Sequence, residues 1–221
     1  MKPLCLFIFI LPLFAFTQSD KQEFVHYSTY ASANKDLINS EKEINTVFMG
    51  NSITAGWYKH NPEFFDNNNF VGRGIGGEVS AQMLLRFRED VLNLNPKRVV
   101  ILAGTNDIAE NQGPISLDKV LGNIISMTEL AQSNNIDVVL SSVLPADQFG
   151  WRKELEPAEK IVTLNAMIKE YAKANSIPFI DYYPKMVNDK KGLKTDFSED
   201  GVHPNKKGYK VMEKEALKTL Q

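Results

Sequence analysis

Five short apolar runs alternate with amphipathic helical patterns between residues 45 and 181, and few architectures accept that alternation. Arg98–Ala103, RVVILA, is the clearest run, its β-branched residues leading into Gly104. Asn45–Gly50 (NTVFMG), Asp137–Ser142 (DVVLSS) and Pro178–Asp181 (PFID) also read as buried strands, and Asn69–Gly72 (NFVG) as a weaker one. The spacing predicts helices near Ala33–Ser40 and over Val79–Leu92, Leu117–Ala131, Pro157–Ala174 and Lys206–Leu220. In Val79–Leu92, Met83, Leu84, Phe87 and Val91 share one face, and Pro157 suits a helix start. Trp57–Phe65, WYKHNPEFF, reads as irregular. Strands and helices in this order predict an α/β domain whose parallel sheet is covered on both faces. In such sheets the functional loops lie beyond the carboxyl ends of the strands.

The first twenty residues, MKPLCLFIFILPLFAFTQSD, follow a different logic. Lys2 precedes thirteen apolar or proline residues, Leu4–Phe16, and then small and polar ones, the layout of a secretory signal peptide. A transmembrane span needs about 18 or more apolar residues, and Pro12 breaks this run. Residues 1–17 are therefore expected to be removed, leaving a single domain over 18–221 in the periplasm or outside the cell. Cys5 is the only cysteine and leaves with the leader, so disulfides and a cysteine nucleophile are not expected. Its place at the start of the apolar run, not after it, argues against lipidation. The 25 basic and 27 acidic residues nearly balance, so nucleic acid is not an expected partner.

Candidate chemistry begins with the three histidines. His26 and His60 lie in polar or irregular segments and read as surface or structural residues. His203, in SEDGVHPNKKGY, follows Asp200 by three positions across a glycine turn. That spacing lets the carboxylate hold one ring nitrogen and leave the other free as a base. Ser52, in GNSITAGW just past the first strand, is a candidate nucleophile, although serine in such a place is commonly a helix cap. Asn106, in LAGTNDIAEN after the strongest strand, has an amide able to donate to an oxyanion; the plain alternative is a capping loop residue. FVGRGIGGEVS contains a literal G-x-G-x-x-G at Gly72, Gly74 and Gly77. A dinucleotide fold wants that motif after its first strand and an acid about 20 residues on, at the end of the next strand. Here the motif follows the second strand, and RVVILAG carries no acid.

Four blocks in order, VFMGNSIT, GRGIGGEV, AGTND and DGVHPNKKGY, resemble those of the SGNH hydrolases, the GDSL-type esterase and lipase superfamily, over Val47–Gly208. The resemblance implies a three-layer flavodoxin-like fold with a five-stranded parallel sheet. It also implies a Ser52–His203–Asp200 triad and an oxyanion hole from Ser52 N–H, Gly77 N–H and the Asn106 amide, with no metal or organic cofactor. Asn51 and Ile53 stand where the family's name-giving block has Asp and Leu, and Glu78 where Asp is common. None of these belongs to the triad. The GRGIGGE block and the leader look like the acetylhydrolase-like branch, which includes carbohydrate esterases and platelet-activating-factor acetylhydrolase relatives. The implied activity is removal of short acyl groups, above all acetyl, from a small-molecule or glycan ester. Lysophospholipase or thioesterase chemistry is the nearest rival, and a non-catalytic carbohydrate-binding protein the rival of another class. Trp57, Trp151, Arg152 and Arg73 are candidate substrate contacts, with ordinary core or loop packing as the alternative for the aromatics.

Overall fold

The computed structural model describes residues 23–220, so the predicted leader and Cys5 lie outside the described residues. Within them the chain runs α1 (Ser28–Asn39), β1 (Thr46–Gly50), α2 (Ser52–His60), α3 (Pro62–Asp66), β2 (Phe70–Gly74) and α4 (Ser80–Asp90). A 3-10 turn at Leu92–Leu94 leads to β3 (Arg98–Ile101), α5 (Thr105–Ile108), α6 (Leu117–Ser133) and β4 (Asp137–Ser141). Then come α7 (Pro157–Ala174), β5 (Phe179–Ile180), α8 (Tyr183–Met186), a 3-10 turn at Thr195–Phe197 and α9 (Lys206–Leu220).

The strands form one parallel five-stranded sheet in the order β2-β1-β3-β4-β5. Alternating strand residues feed two cores. Val47 and Met49 of β1 and Val99 and Ile101 of β3 pack with Met83, Phe87, Met127 and Leu164 from α4, α6 and α7. Phe48 and Val100 face the other way, toward Ile53, Trp57, Phe65, Tyr209 and Met212 from α2, α3 and α9. Burying such side chains contributes about 1.5–3 kcal/mol each. Because both faces are covered, the strands read as unbroken apolar runs rather than alternating ones.

The sequence-predicted helices over Pro157–Ala174 and Lys206–Leu220 match the observed bounds, and the first helix starts earlier than expected, at Ser28. The stretch expected to be irregular is instead α2 and α3, with Pro62 opening α3. Glycine at 56 and proline at 62 weaken the local helical signal. Burial of Ile53, Trp57, Phe64 and Phe65 supplies what propensity does not.

Connections diverge on either side of β1 and β3, and the crevice beyond their carboxyl ends is where an open α/β sheet receives a ligand. Ser52 follows β1 and Asn106 follows β3, so topology alone brings them to one place.

Candidate active site

Ser52 is the first residue of α2, not its cap. The preceding Asn51 caps the helix, its Oδ1 accepting from Ile53 N–H at 2.9 Å. The first turn of α2 lies so close to β2 that a methyl at Gly74 would sit 2.3 Å from Ala55 N and 2.5 Å from Asn51 O. Close approach, not phosphate binding, therefore accounts for Gly74.

His203 and Asp200 come from the loop before α9. Asp200 Oδ1 accepts from Val202 N–H at 2.9 Å and His203 N–H at 2.8 Å, and Ser198 Oγ–H donates to it at 3.1 Å. Asp200 Oδ2 accepts from His203 Nδ1–H at 2.7 Å. Partial burial pushes the Asp200 carboxyl up, but the hydrogen bonds from His203 and Val202 outweigh it and hold the pKa down at about 2. An ionised carboxylate only accepts, so Nδ1 keeps its proton and Nε2 is left as an acceptor. Ser52 Oγ–H donates to that nitrogen at 2.9 Å, across 151 residues of sequence. Tyr209 ties the two segments together. Its hydroxyl donates to Ile53 O at 2.8 Å, and its ring stacks on Trp57, so α9 is fastened to the helix that starts with the serine.

Gly77 occupies a left-handed conformation at φ +78°, and no atom lies within 4 Å of where its Cβ would be. Backbone conformation, not crowding, is the reason for glycine there. A methyl at the adjacent Gly76 would come to 4.0 Å from Ser52 Cβ, which places this turn beside the serine. Among the described residues, neither Ser52 N–H nor Gly77 N–H has a protein acceptor. Asn106, buried, gives one amide hydrogen to Glu78 O at 2.9 Å and retains a second donor. Asp107 caps α4, accepting from Ser80 N–H at 2.9 Å and Ser80 Oγ–H at 2.5 Å, while burial raises its pKa against those bonds.

Beneath this constellation lies a buried ionic hub that sequence reasoning missed. Arg86 is fully buried and pairs with Glu78 Oε2 and Asp90 Oδ2, each at 2.6 Å. It also donates to Gly50 O at 3.1 Å and Arg73 O at 3.0 Å, joining the ends of β1 and β2. His26 Nδ1 meets the other oxygen of Glu78 at 3.1 Å. The signal existed: Arg86 falls three residues after Met83 and beside Phe87, on the inward face of α4, but RFRED reads as solvated charge.

Two expected substrate contacts are corrected. Trp57 is buried between the rings of Phe64 and Tyr209, at 4.9 and 5.8 Å, and its Nε1–H donates to Glu213 Oε1 at 3.4 Å. α2 turns it inward, so it cannot meet a ligand. Arg73 is also buried. Its Nε–H donates to Asn34 Oδ1 at 2.8 Å, and its guanidinium lies 4.6 Å from the Tyr30 ring centre, beside α1. A cavity of about 400 Å³ between α1, α2 and β2 is lined by Tyr30, Tyr58 and Arg73, but by none of Ser52, Gly77, Asn106, Asp200 and His203. Arg152 is partly exposed but engaged, with Glu154 at 2.7 Å and Glu110 O at 3.1 Å. Trp151 does reach the site. It is 46% exposed, stacks on buried Phe149 at 5.1 Å, and lies 6.4 Å, ring to ring, from His203.

Among the described residues, no cluster of His, Cys, Asp or Glu could hold a metal ion, and no helix is long and apolar enough to cross a membrane. The sequence profile of the GDSL-like Lipase/Acylhydrolase family matches residues 48–211. A GDSL-like lipase from Bacteroides thetaiotaomicron is 51% identical, with a TM-score of 0.85 over 90% of this chain and 98% of that one. A protein of Bacteroides fragilis proposed to be an acylhydrolase is 47% identical, with a TM-score of 0.87 and the same coverage. A Bacillus subtilis protein described as an uncharacterized lipoprotein is 24% identical and aligns with 66% of this chain and 71% of its own length.

Proposed function

We propose that this chain, which belongs to the GDSL-like lipase/acylhydrolase family and is a carboxylic ester hydrolase, is an exported serine esterase that removes short acyl groups, foremost acetyl, from carbohydrate hydroxyls. The observation carrying the reading is the unbroken chain Ser52 Oγ–His203 Nε2–Asp200 Oδ2, at 2.9 and 2.7 Å.

Ser52 Oγ attacks the ester carbonyl as its proton passes to His203 Nε2, while Asp200 keeps the Nδ1 proton in place and stabilises the imidazolium. The carbonyl oxygen becomes an oxyanion that receives Ser52 N–H, Gly77 N–H and the second Asn106 amide hydrogen. The C–O bond to the alcohol then breaks, and His203 Nε2–H protonates the departing alkoxide. Water repeats the sequence on the acyl-enzyme: His203 takes its proton, the acid leaves, and Ser52 Oγ regains a proton. Asn106→Ala should lower kcat about 10²–10³-fold with little change in KM, measured on p-nitrophenyl acetate. A loss below about threefold would place Asn106 outside the oxyanion site.

Substrate class rests on where Trp151 lies. Trp151 lies 6.4 Å, ring to ring, from His203, the residue assigned to protonate the leaving alcohol, and this supports an indole wall on the leaving-group side. A flat, part-exposed aromatic there suits the apolar face of a sugar better than a flexible lipid headgroup. Export is supported by the N-terminal pattern at residues 1–17 and by the lipoprotein description of the Bacillus relative. The test is hydrolysis of p-nitrophenyl esters from acetyl to octanoyl, followed by acetylated oligosaccharides. Activity should fall steeply beyond acetyl, and a preference for octanoyl would instead favour the lysophospholipase or thioesterase reading.

A further inference from the structure

The turn carrying Gly77 has little of its own to hold it. Gly76 and Gly77 are both exposed, and the turn's internal Glu78 N–H to Ile75 O contact is long, at 3.5 Å. Its carbonyls are gripped from the β3–α6 connection. Asn106 Nδ2–H donates to Glu78 O at 2.9 Å, and Asn111 Nδ2–H donates to Gly77 O at 3.1 Å. Asn111 is itself constrained twice. Its N–H donates to Asn106 O at 3.0 Å, and its Oδ1 accepts from Trp151 Nε1–H at 3.0 Å. Trp151 in turn is backed by Phe149, which is fully buried. A continuous path thus runs from the core through the indole and one amide to the carbonyl of the glycine that carries the oxyanion donor.

We propose that Asn111 is a positioning residue for the Gly77 turn, held in register by Trp151, so that the aromatic wall and the oxyanion donor are set by one side chain. The inference rests on the esterase reading above. Asn111 touches no reacting atom; it acts by holding the Gly77 carbonyl, and so, across the Gly77 Cα, the adjoining Gly76–Gly77 peptide whose N–H is the donor. Releasing that carbonyl frees rotation about the Gly77 backbone and lets Gly77 N–H wander, and misplacement of about 1 Å in a donor can cost about 10²-fold in rate. Trp151→Phe keeps an aromatic ring to pack on Phe149 but removes the Nε1–H donor together with the pyrrole half of the indole.

The test compares Asn111→Ala, Trp151→Phe and the double variant on p-nitrophenyl acetate, with Tm for each. Asn111→Ala should lower kcat about 10–100-fold while KM changes less than about twofold and Tm holds. Trp151→Phe should lower kcat by less, and the double variant should be no worse than Asn111→Ala, because both act through one path. An Asn111→Ala kcat within about twofold of the parent overturns the proposal. So does a loss that follows a fall in Tm, or two losses that multiply. Ser52-dependent turnover with an indifferent Asn111→Ala overturns this inference alone. A parent chain with no Ser52-dependent turnover overturns the esterase reading and this inference with it.

Discussion

Ser52→Ala is expected to lower kcat for p-nitrophenyl acetate by about 10⁴–10⁶-fold while leaving the fold and Tm unchanged. Both halves of that expectation follow from where the serine sits. Its hydroxyl donates to His203 Nε2, the nitrogen that the proposed mechanism assigns to take its proton. Alanine leaves the histidine, the aspartate and the three proposed oxyanion donors in place, so the residual rate would report binding and electrostatics without a nucleophile. The helix should not suffer. Asn51, not Ser52, caps α2, so the roughly 1 kcal/mol lost when a capping side chain is removed is not at stake. His203→Ala should be about as damaging, and the double variant scarcely worse, because in the proposed mechanism the two act as one unit. A Ser52→Ala rate within about tenfold of the parent would remove Ser52 from the chemistry and send the search for a nucleophile elsewhere.

The second large effect concerns stability. Arg86→Met should cost about 3–5 kcal/mol, because it leaves the carboxylates of Glu78 and Asp90 buried without their cation. For a domain of this size that corresponds to a Tm lower by about 6–20 °C. It also frees Gly50 O and Arg73 O, the carbonyls at the ends of β1 and β2, so local order beside Ser52 should fall with it. The triple variant Arg86→Met, Glu78→Gln, Asp90→Asn should recover part of the loss, since it removes the three charges of the hub together, while buried Arg73 loses the favourable field of Asp90. Thermal unfolding of the three forms decides it. A loss under about 1 kcal/mol for Arg86→Met would mean that water, not Arg86, satisfies those carboxylates.

Much of the fold was readable because its strands are covered on both faces. Val47–Met49, Val99–Ile101 and Val138–Leu140 are apolar without interruption, as strands packed between two layers of helices must be. α6, α7 and α9 showed their helical period over long stretches. By contrast α2 was hidden, because glycine, threonine and a following proline blur the pattern in nine residues, and only packing against α9 and β2 makes it a helix.

The same split runs through the site. Residue type and order determined the candidates Ser52, Gly77, Asn106, Asp200 and His203, since each chemistry demands a particular side chain or a glycine at a strand end. Sequence also determined the parallel sheet that would gather them. Only the tertiary structure decided which aromatics face outward. Trp57 and Trp151 look alike in the chain, but α2 rotates one into the core and a loop leaves the other beside His203. It likewise decided that Arg73 and Arg86 serve the interior, and that Asn111 reaches Gly77 across 34 residues. Exposure and partner choice are set by how whole elements rotate and meet, and no local spacing encodes that.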